Sequence, residues 1–222
     1  MFKQGQNGSF FRHRKIQNKI SEKHKVITIG FIGTEKGVGV THTALLVAKY
    51  FSKQRGKVAF IEWGDQDAVK MIRRTYEGNP LNGDEKIEKT KPYVFRRVHY
   101  YENGDDELLS MIRRKGYQII LIDFGEQKNQ TQDIYNQMDI RLVVGRGNDW
   151  KYHRIESFYQ NLSHDLEEKY KDLILILACG TKEEKKHIQH IIKGRVETVS
   201  YHKDPFEWTE KMKKEIEGIL EL

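Results

Sequence analysis

From residue 26 onward, short and fully apolar runs alternate with stretches whose apolar residues recur at three- and four-residue spacing. Val26 to Ile32 (VITIGFI) is rich in β-branched residues and predicts a buried strand. Thr41 to Gln54 carries Ala44, Leu45, Leu46, Ala48 and Phe51 at helical spacing. Lys57 to Glu62 predicts a second strand and Asp67 to Tyr76 a helix, while Glu77 to Lys91, polar with two glycines and a proline, predicts a loop. A third strand over Tyr93 to Tyr101 and a helix over Asp105 to Lys115 follow. Tyr117 to Asp123 (YQIILID) is the clearest buried strand. Ile140 to Gly145, Asp172 to Cys179 and Arg195 to Tyr201 complete the strands, with helices at about 150–170, 181–193 and 206–221. Alternating strands and helices imply βαβ units. The fold class is therefore a doubly wound α/β fold, a mostly parallel sheet of about seven strands with helices on both faces. In such a sheet ligands bind outside the carboxyl ends of the strands.

Composition narrows this reading. With 37% hydrophobic and 32% charged residues in 222, the chain has no apolar run near the roughly 20 residues of a membrane span. Residues 1–25 contain no continuous apolar stretch, so no secretory signal is expected. The single cysteine, Cys179, allows no internal disulfide, which fits a reducing cytosol. At a strand end it reads as a packed, inert thiol.

The net charge of +7 is not spread evenly. Residues 1–25 hold seven bases (Lys3, Arg12, Arg14, Lys15, Lys19, Lys23, Lys25) against Glu22, leaving 32 bases and 31 acids for residues 26–222. Two segments follow: a basic N-terminal arm, 1–25, and an α/β domain, 26–222. The arm interleaves its charges with Phe2, Phe10, Phe11, Ile16 and Ile20. It has the chemistry to meet an anionic membrane surface, DNA or an acidic partner, the alternative being a plain solvated leader.

Between the first strand and the first helix stands Gly33-Thr-Glu-Lys-Gly-Val-Gly-Val-Thr41. A glycine-rich turn there would aim backbone N–H groups and the positive helix end at an anion. The common phosphate loop, G-x-x-x-x-G-K-[ST], is not matched, because Val40 stands where the lysine belongs. The wider stretches VITIGFIGTEKGVGVTHTALLVAKYF, KVAFIEW, YQIILIDFG and MDIRLVVG resemble the MinD/ParA (SIMIBI-class) group of P-loop ATPases. Laid on that group's K-G-G-V-G-K-[ST], Glu35 to Thr41 match at Gly37, Val38, Gly39 and Thr41. Glu35 takes the early lysine's place and Val40 the later one's, a degenerate Walker A loop. Lysine-poor loops also resemble the TadZ/CpaE-like proteins of tight-adherence pilus machines.

The resemblance implies a P-loop NTPase-like fold with nucleotide held by Glu35, Lys36, Gly37, Val38, Gly39, Val40, Thr41 and His42. It implies magnesium on Thr41 and Asp123, and catalytic roles for Asp123 and Glu62. Asp123 ends its strand as the group's Walker-B aspartate does; Glu62 stands where an aspartate helps place the attacking water, the alternative being a plain solvent-facing acid. The group's base-reading asparagine is replaced by Ala178-Cys179-Gly180. ATP or ADP with magnesium is the implied cofactor, with none as the alternative. Loss of both lysines removes about three units of charge, each pair being worth on the order of 4 kcal/mol at 4 Å and an effective dielectric near 20. Binding is thus expected to outlast hydrolysis. The implied function is a pseudo-ATPase scaffold, forming a homodimer and docking on a protein partner in a membrane-associated machine, cytoplasmic or peripheral at the inner face. One alternative is a partitioning-type ATPase with Lys36 or His42 as substitute cation; another is a DNA-binding module using the arm. His187 and His190, three apart on a predicted helix, read as solvated residues and not as a zinc site. Trp150 and Tyr152 read as helix packing.

Overall fold

The computed structural model describes residues 26–54, 56–64, 66–77, 89–148, 150–161, 172–192 and 194–222. The basic arm, most of the predicted 77–91 loop and the second half of the predicted 150–170 helix lie outside them. In chain order the elements are β1 (Ile27–Gly33), α1 (Val40–Lys53), β2 (Val58–Trp63), α2 (Ala68–Glu77), β3 (Tyr93–Phe95) and β4 (Val98–Gly104). Then come α3 (Asp106–Arg113), β5 (Ile119–Glu126), α4 (Gln132–Asn136), β6 (Ile140–Gly145) and α5 (Tyr152–Asn161). β7 (Leu173–Ala178), α6 (Lys182–Ile191), β8 (Arg195–Val199) and α7 (Glu210–Leu220) complete the elements of the described residues.

The strands lie in one sheet in the order β3-β4-β2-β5-β1-β6-β7-β8. All neighbours are parallel except β3 and β4. The apolar runs are continuous because both faces are covered. Ile27, Ile29 and Phe31 of β1 pack with α1, α2 and α7, whereas Ile32 packs with α3, α5 and α6 on the opposite face. Asp123 does not end its strand as expected, since β5 runs three residues past it, and the period of two decides on which face it and Glu62 lie. Val58 and Phe60 face the α1 side, as do Ile119 and Leu121, so Glu62 and Asp123 follow them onto that face. They are register partners on adjacent strands.

The single strand predicted over Tyr93 to Tyr101 is instead a hairpin, and among the described residues the sheet has eight strands. β3 and β4 pair antiparallel with Phe95 opposite Val98, joined by Arg96 and Arg97 at φ 48° and 70°. Two central residues with positive φ turn a hairpin tightly, and they are commonly Asn or Gly. Here Arg96 is held by its contacts instead. Its Nη1 donates to the Phe206 carbonyl oxygen at 2.6 Å and its guanidinium lies 5.1 Å from the Phe95 ring centroid. A second unpredicted feature is α4, with the 3-10 turn Asn129–Thr131 before it. Five residues are too few for helical periodicity to register, although Tyr135 is buried.

β4 ends beside the end of β2, with Gly104 opposite Trp63. A Cβ at Gly104 would meet Ile61 Cγ2 and lie 2.9 Å from the Glu62 carbonyl oxygen. Gly104→Ala must push β4 away from β2, and overpacking of this kind costs about 1–3 kcal/mol. The expected result is a lower urea midpoint with an unchanged m-value.

Candidate functional site

The chain leaves β1 toward β2 on one side, whereas β6, the neighbour of β1 on the other side, leads away to β7. Outgoing connections that diverge in this way open a crevice at the carboxyl ends of the strands. The loop from Gly33 to Gly39 lies in it. Its start is tied to the sheet by Thr34 N–H donating to the Val144 carbonyl at 2.9 Å and Gln127 N–H donating to the Gly33 carbonyl at 3.2 Å. Gly37 and Gly39 have φ +79° and +103°, a region that residues with a Cβ rarely enter. Gly39 is the N-cap of α1, and no side chain caps this helix. The first-turn N–H groups of a helix lack intrahelical partners, so they are free to meet an anion.

Two residues distant in sequence meet here. Thr41 Oγ1 donates to Asp123 Oδ2 at 2.5 Å, and Gly125 N–H donates to Asp123 Oδ1 at 2.9 Å. Asp123 is fully buried, and burial pushes its carboxyl up, opposed by those two hydrogen bonds. Gln66 braces the same strand: its Nε2 donates to the carbonyls of Trp63 at 2.9 Å and Asp123 at 3.1 Å. A hydroxyl and a carboxylate are hard oxygen donors of the kind magnesium takes, so the pair fits the ion that the resemblance implies.

Glu62 is not a solvent-facing acid. It is 2% exposed, and its carboxylate caps α2. Oε1 accepts from Ala68 N–H at 2.6 Å and Oε2 from Val69 N–H at 3.1 Å. Burial pushes Glu62 up to about 7, with the two backbone donors opposing and nearby Asp123 and Glu102 assisting. Both oxygens are thus engaged by the fold.

Glu35 is half-buried and paired within its own chain. Lys151 Nζ lies 2.6 Å from Oε1, and Arg154 Nε lies 3.8 Å from Oε2. Of the two expected substitute cations, Lys36 is exposed, while His42 is partly buried behind the loop. Burial and the neighbouring His202 push His42 down, and its Nε2 has no hydrogen-bond partner among the described residues. His42 lines a recess of about 170 Å³ with Arg146, Cys179, Ser200 and Tyr201, bounded also by Gly39. That nitrogen is itself buried; what lies beside the glycine-rich loop is the recess, with the place to meet a nucleoside.

Cys179 is exposed at the rim of this recess and has φ +58°, so it is not the packed thiol expected. Its N–H donates to the Val199 carbonyl at 2.7 Å, the last rung between β7 and β8, and the chain then turns with Gly180 N–H donating to the Leu177 carbonyl at 3.1 Å. Trp150 is also more open than helix packing implied, at 71% exposed, whereas Tyr152 packs on the core and edge-on to the exposed His187. Among the described residues no group of three or more His, Cys, Asp or Glu is placed to hold a metal. Arg146, Lys151, Ser200 and Tyr201 were not singled out as site residues. Their one sequence signal is position just past the carboxyl ends of β6 and β8.

No protein-family model matches the chain, and neither does any curated protein. Solved structures do. A plasmid partition protein from Borrelia burgdorferi B31, bound to AMPPNP, is 18% identical with TM-score 0.62, over 89% of this chain and 98% of that one. A ParA family ATPase from Chlorobium tepidum TLS is 14% identical with TM-score 0.62, over 89% and 98%. The MinC:MinD cell division protein complex of Aquifex aeolicus gives 15% identity and TM-score 0.60, over 80% and 83%. The chain has the α/β fold of the ParA/MinD P-loop ATPases.

Proposed function

We propose that this chain binds a magnesium nucleoside phosphate, ATP or ADP, and works as a scaffold with weak or no hydrolysis. The observation that carries this reading is the Thr41–Asp123 pair, 2.5 Å apart beside a loop with two left-handed glycines and neither loop lysine. Thr41 and Asp123 would hold the ion directly or through water. The N–H groups from Gly37 to Thr41 would meet the phosphates, and the recess past β7 and β8 the nucleoside. Magnesium would supply charge neutralisation on the phosphate oxygens. Phosphoryl transfer rests almost wholly on positioning and charge, so a loop lacking both lysines favours retention over turnover.

The likeness to partition and cell-division proteins supports a role in positioning or assembly with a protein partner. A station on a membrane-associated machine such as a tight-adherence pilus is one such role. Any dimer would be built without an early lysine crossing to the partner, because Glu35 is engaged by Lys151 of its own chain. Residues 1–25 would add attraction to an anionic surface through their seven bases.

The test is titration of the full chain with Mg²⁺-ATP and Mg²⁺-ADP, following thermal unfolding and phosphate release. A saturable rise worth about 2.7 kcal/mol at a hundredfold excess over Kd is expected, with phosphate release no faster than the blank. No shift up to millimolar nucleotide would remove the binding reading. Turnover that disappears in Asp123→Ala would establish a working ATPase in place of a scaffold.

A further inference from the structure

Lys151 is the least explained charge at the loop. It belongs to the turn between β6 and α5, whose backbone is pinned by Lys151 N–H donating to the Asn148 carbonyl at 2.8 Å and Arg154 N–H donating to the Lys151 carbonyl at 2.9 Å. Its ammonium lies between two groups, 2.6 Å from Glu35 Oε1 and 4.9 Å from the ring centroid of exposed Trp150. Lys151 and Glu35 are 24% and 19% exposed, so the pair is largely withdrawn from water. Arg154 reaches the same carboxylate from the first turn of α5. One carboxylate therefore faces two cations from a separate segment, and with Lys36 the loop region is net positive although its lysine positions hold Val40 and Glu35.

From this geometry we infer that Lys151 supplies the phosphate-facing cation of the loop, and that Glu35 is a latch holding it in reserve until a polyphosphate competes it away. The inference rests on the nucleotide reading above. Glu35 lies between Gly33 and Gly37, so a polyphosphate against the loop N–H groups would stand beside the carboxylate that holds Lys151. A polyphosphate carries several negative charges against the single charge of Glu35, and an ammonium on a flexible four-carbon stem transfers with little rearrangement. The competing carboxylate is intramolecular, so it lowers the apparent affinity of the loop for phosphate. Removing it should have the opposite effect to removing the lysine.

That opposition is what the experiment reads. Calorimetric affinities for Mg²⁺-ATP and for inorganic tripolyphosphate with magnesium are measured on the full chain, Lys151→Ala, Lys151→Met and Glu35→Gln. Lys151→Met retains an apolar stem against Trp150, and ligand-free melting checks folding. Both lysine variants should bind tripolyphosphate about tenfold or more weakly, the loss of one charge-assisted contact. Glu35→Gln should bind it severalfold more tightly. Tripolyphosphate should also change the tryptophan emission of the wild type, and this change should vanish in Trp150→Phe. A purely structural ion pair would weaken binding in both Lys151→Ala and Glu35→Gln; that result, or an unchanged Lys151→Ala, overturns the inference and leaves nucleotide binding standing. A wild type that binds neither probe overturns both readings.

Discussion

Asp123→Asn should unfold at or above the wild-type temperature without ligand, yet lose the stabilisation that Mg²⁺-ATP confers. The carboxylate is fully buried, burial opposes its ionisation, and among the described residues its hydrogen-bond donors are Thr41 and Gly125. An asparagine of the same shape can accept from Gly125 N–H through its amide oxygen and donate its amide N–H to Thr41 Oγ1, a hydroxyl that accepts as well as donates, and it carries no charge to desolvate. The ligand-free protein therefore gains or breaks even. With nucleotide the account reverses, because a neutral amide is a poor ligand for a doubly charged hard cation. The loss should be most of the roughly 2.7 kcal/mol that a hundredfold excess of ligand provides. Paired melting curves with and without Mg²⁺-ATP read both halves. A variant that keeps the full ligand shift would remove Asp123 from the site.

The second large effect is in pH. Glu62, ordinarily near 4.5, is pushed up to about 7. Between those values the folded chain retains a proton that the unfolded chain has released, so stability falls as pH rises. The contribution of Glu62 is complete below its unfolded value and is lost as pH passes through about 7, up to on the order of 3 kcal/mol. Asp123, also raised, acts in the same direction. His42 and His99 act oppositely: burial lowers both below their usual 6.5, so their contribution is present above that value and is lost as pH falls through the folded one. Glu62→Gln isolates the carboxyl, since it removes one titration and leaves the histidines. Urea unfolding from pH 5 to 8 should show the wild type losing stability relative to the variant across the window. A constant difference between the two would mean that Glu62 titrates near its unfolded value. A glutamate suits this position for a geometric reason: its longer stem reaches two successive N–H groups of α2 from the end of β2.

Much of the architecture was readable because strands buried on both faces leave unbroken apolar runs. YQIILID and VITIGFI could hardly be anything but central strands, and they are the adjacent pair β5 and β1. The β3–β4 hairpin was hidden because Arg96 and Arg97 adopt positive φ with help from Phe206, a residue far along the chain. Cys179 also differs from expectation: the apolar run predicts burial through its last residue, but the backbone turns there at φ +58° and the side chain is exposed.

Local pattern alone determined that this is a doubly wound α/β chain with a glycine-rich turn after its first strand, and that Asp123 and Glu62 close apolar runs. Hydrophobic periodicity and residue identity are local properties and survive without coordinates. Tertiary structure decided what each polar group does. It brought Thr41 to Asp123 across 82 positions, spent both oxygens of Glu62 on a helix end, and set Lys151 against Glu35 across 116. Such pairings depend on which strands become neighbours and on where the crossovers run, and nothing in the spacing along a single chain encodes a distance through space.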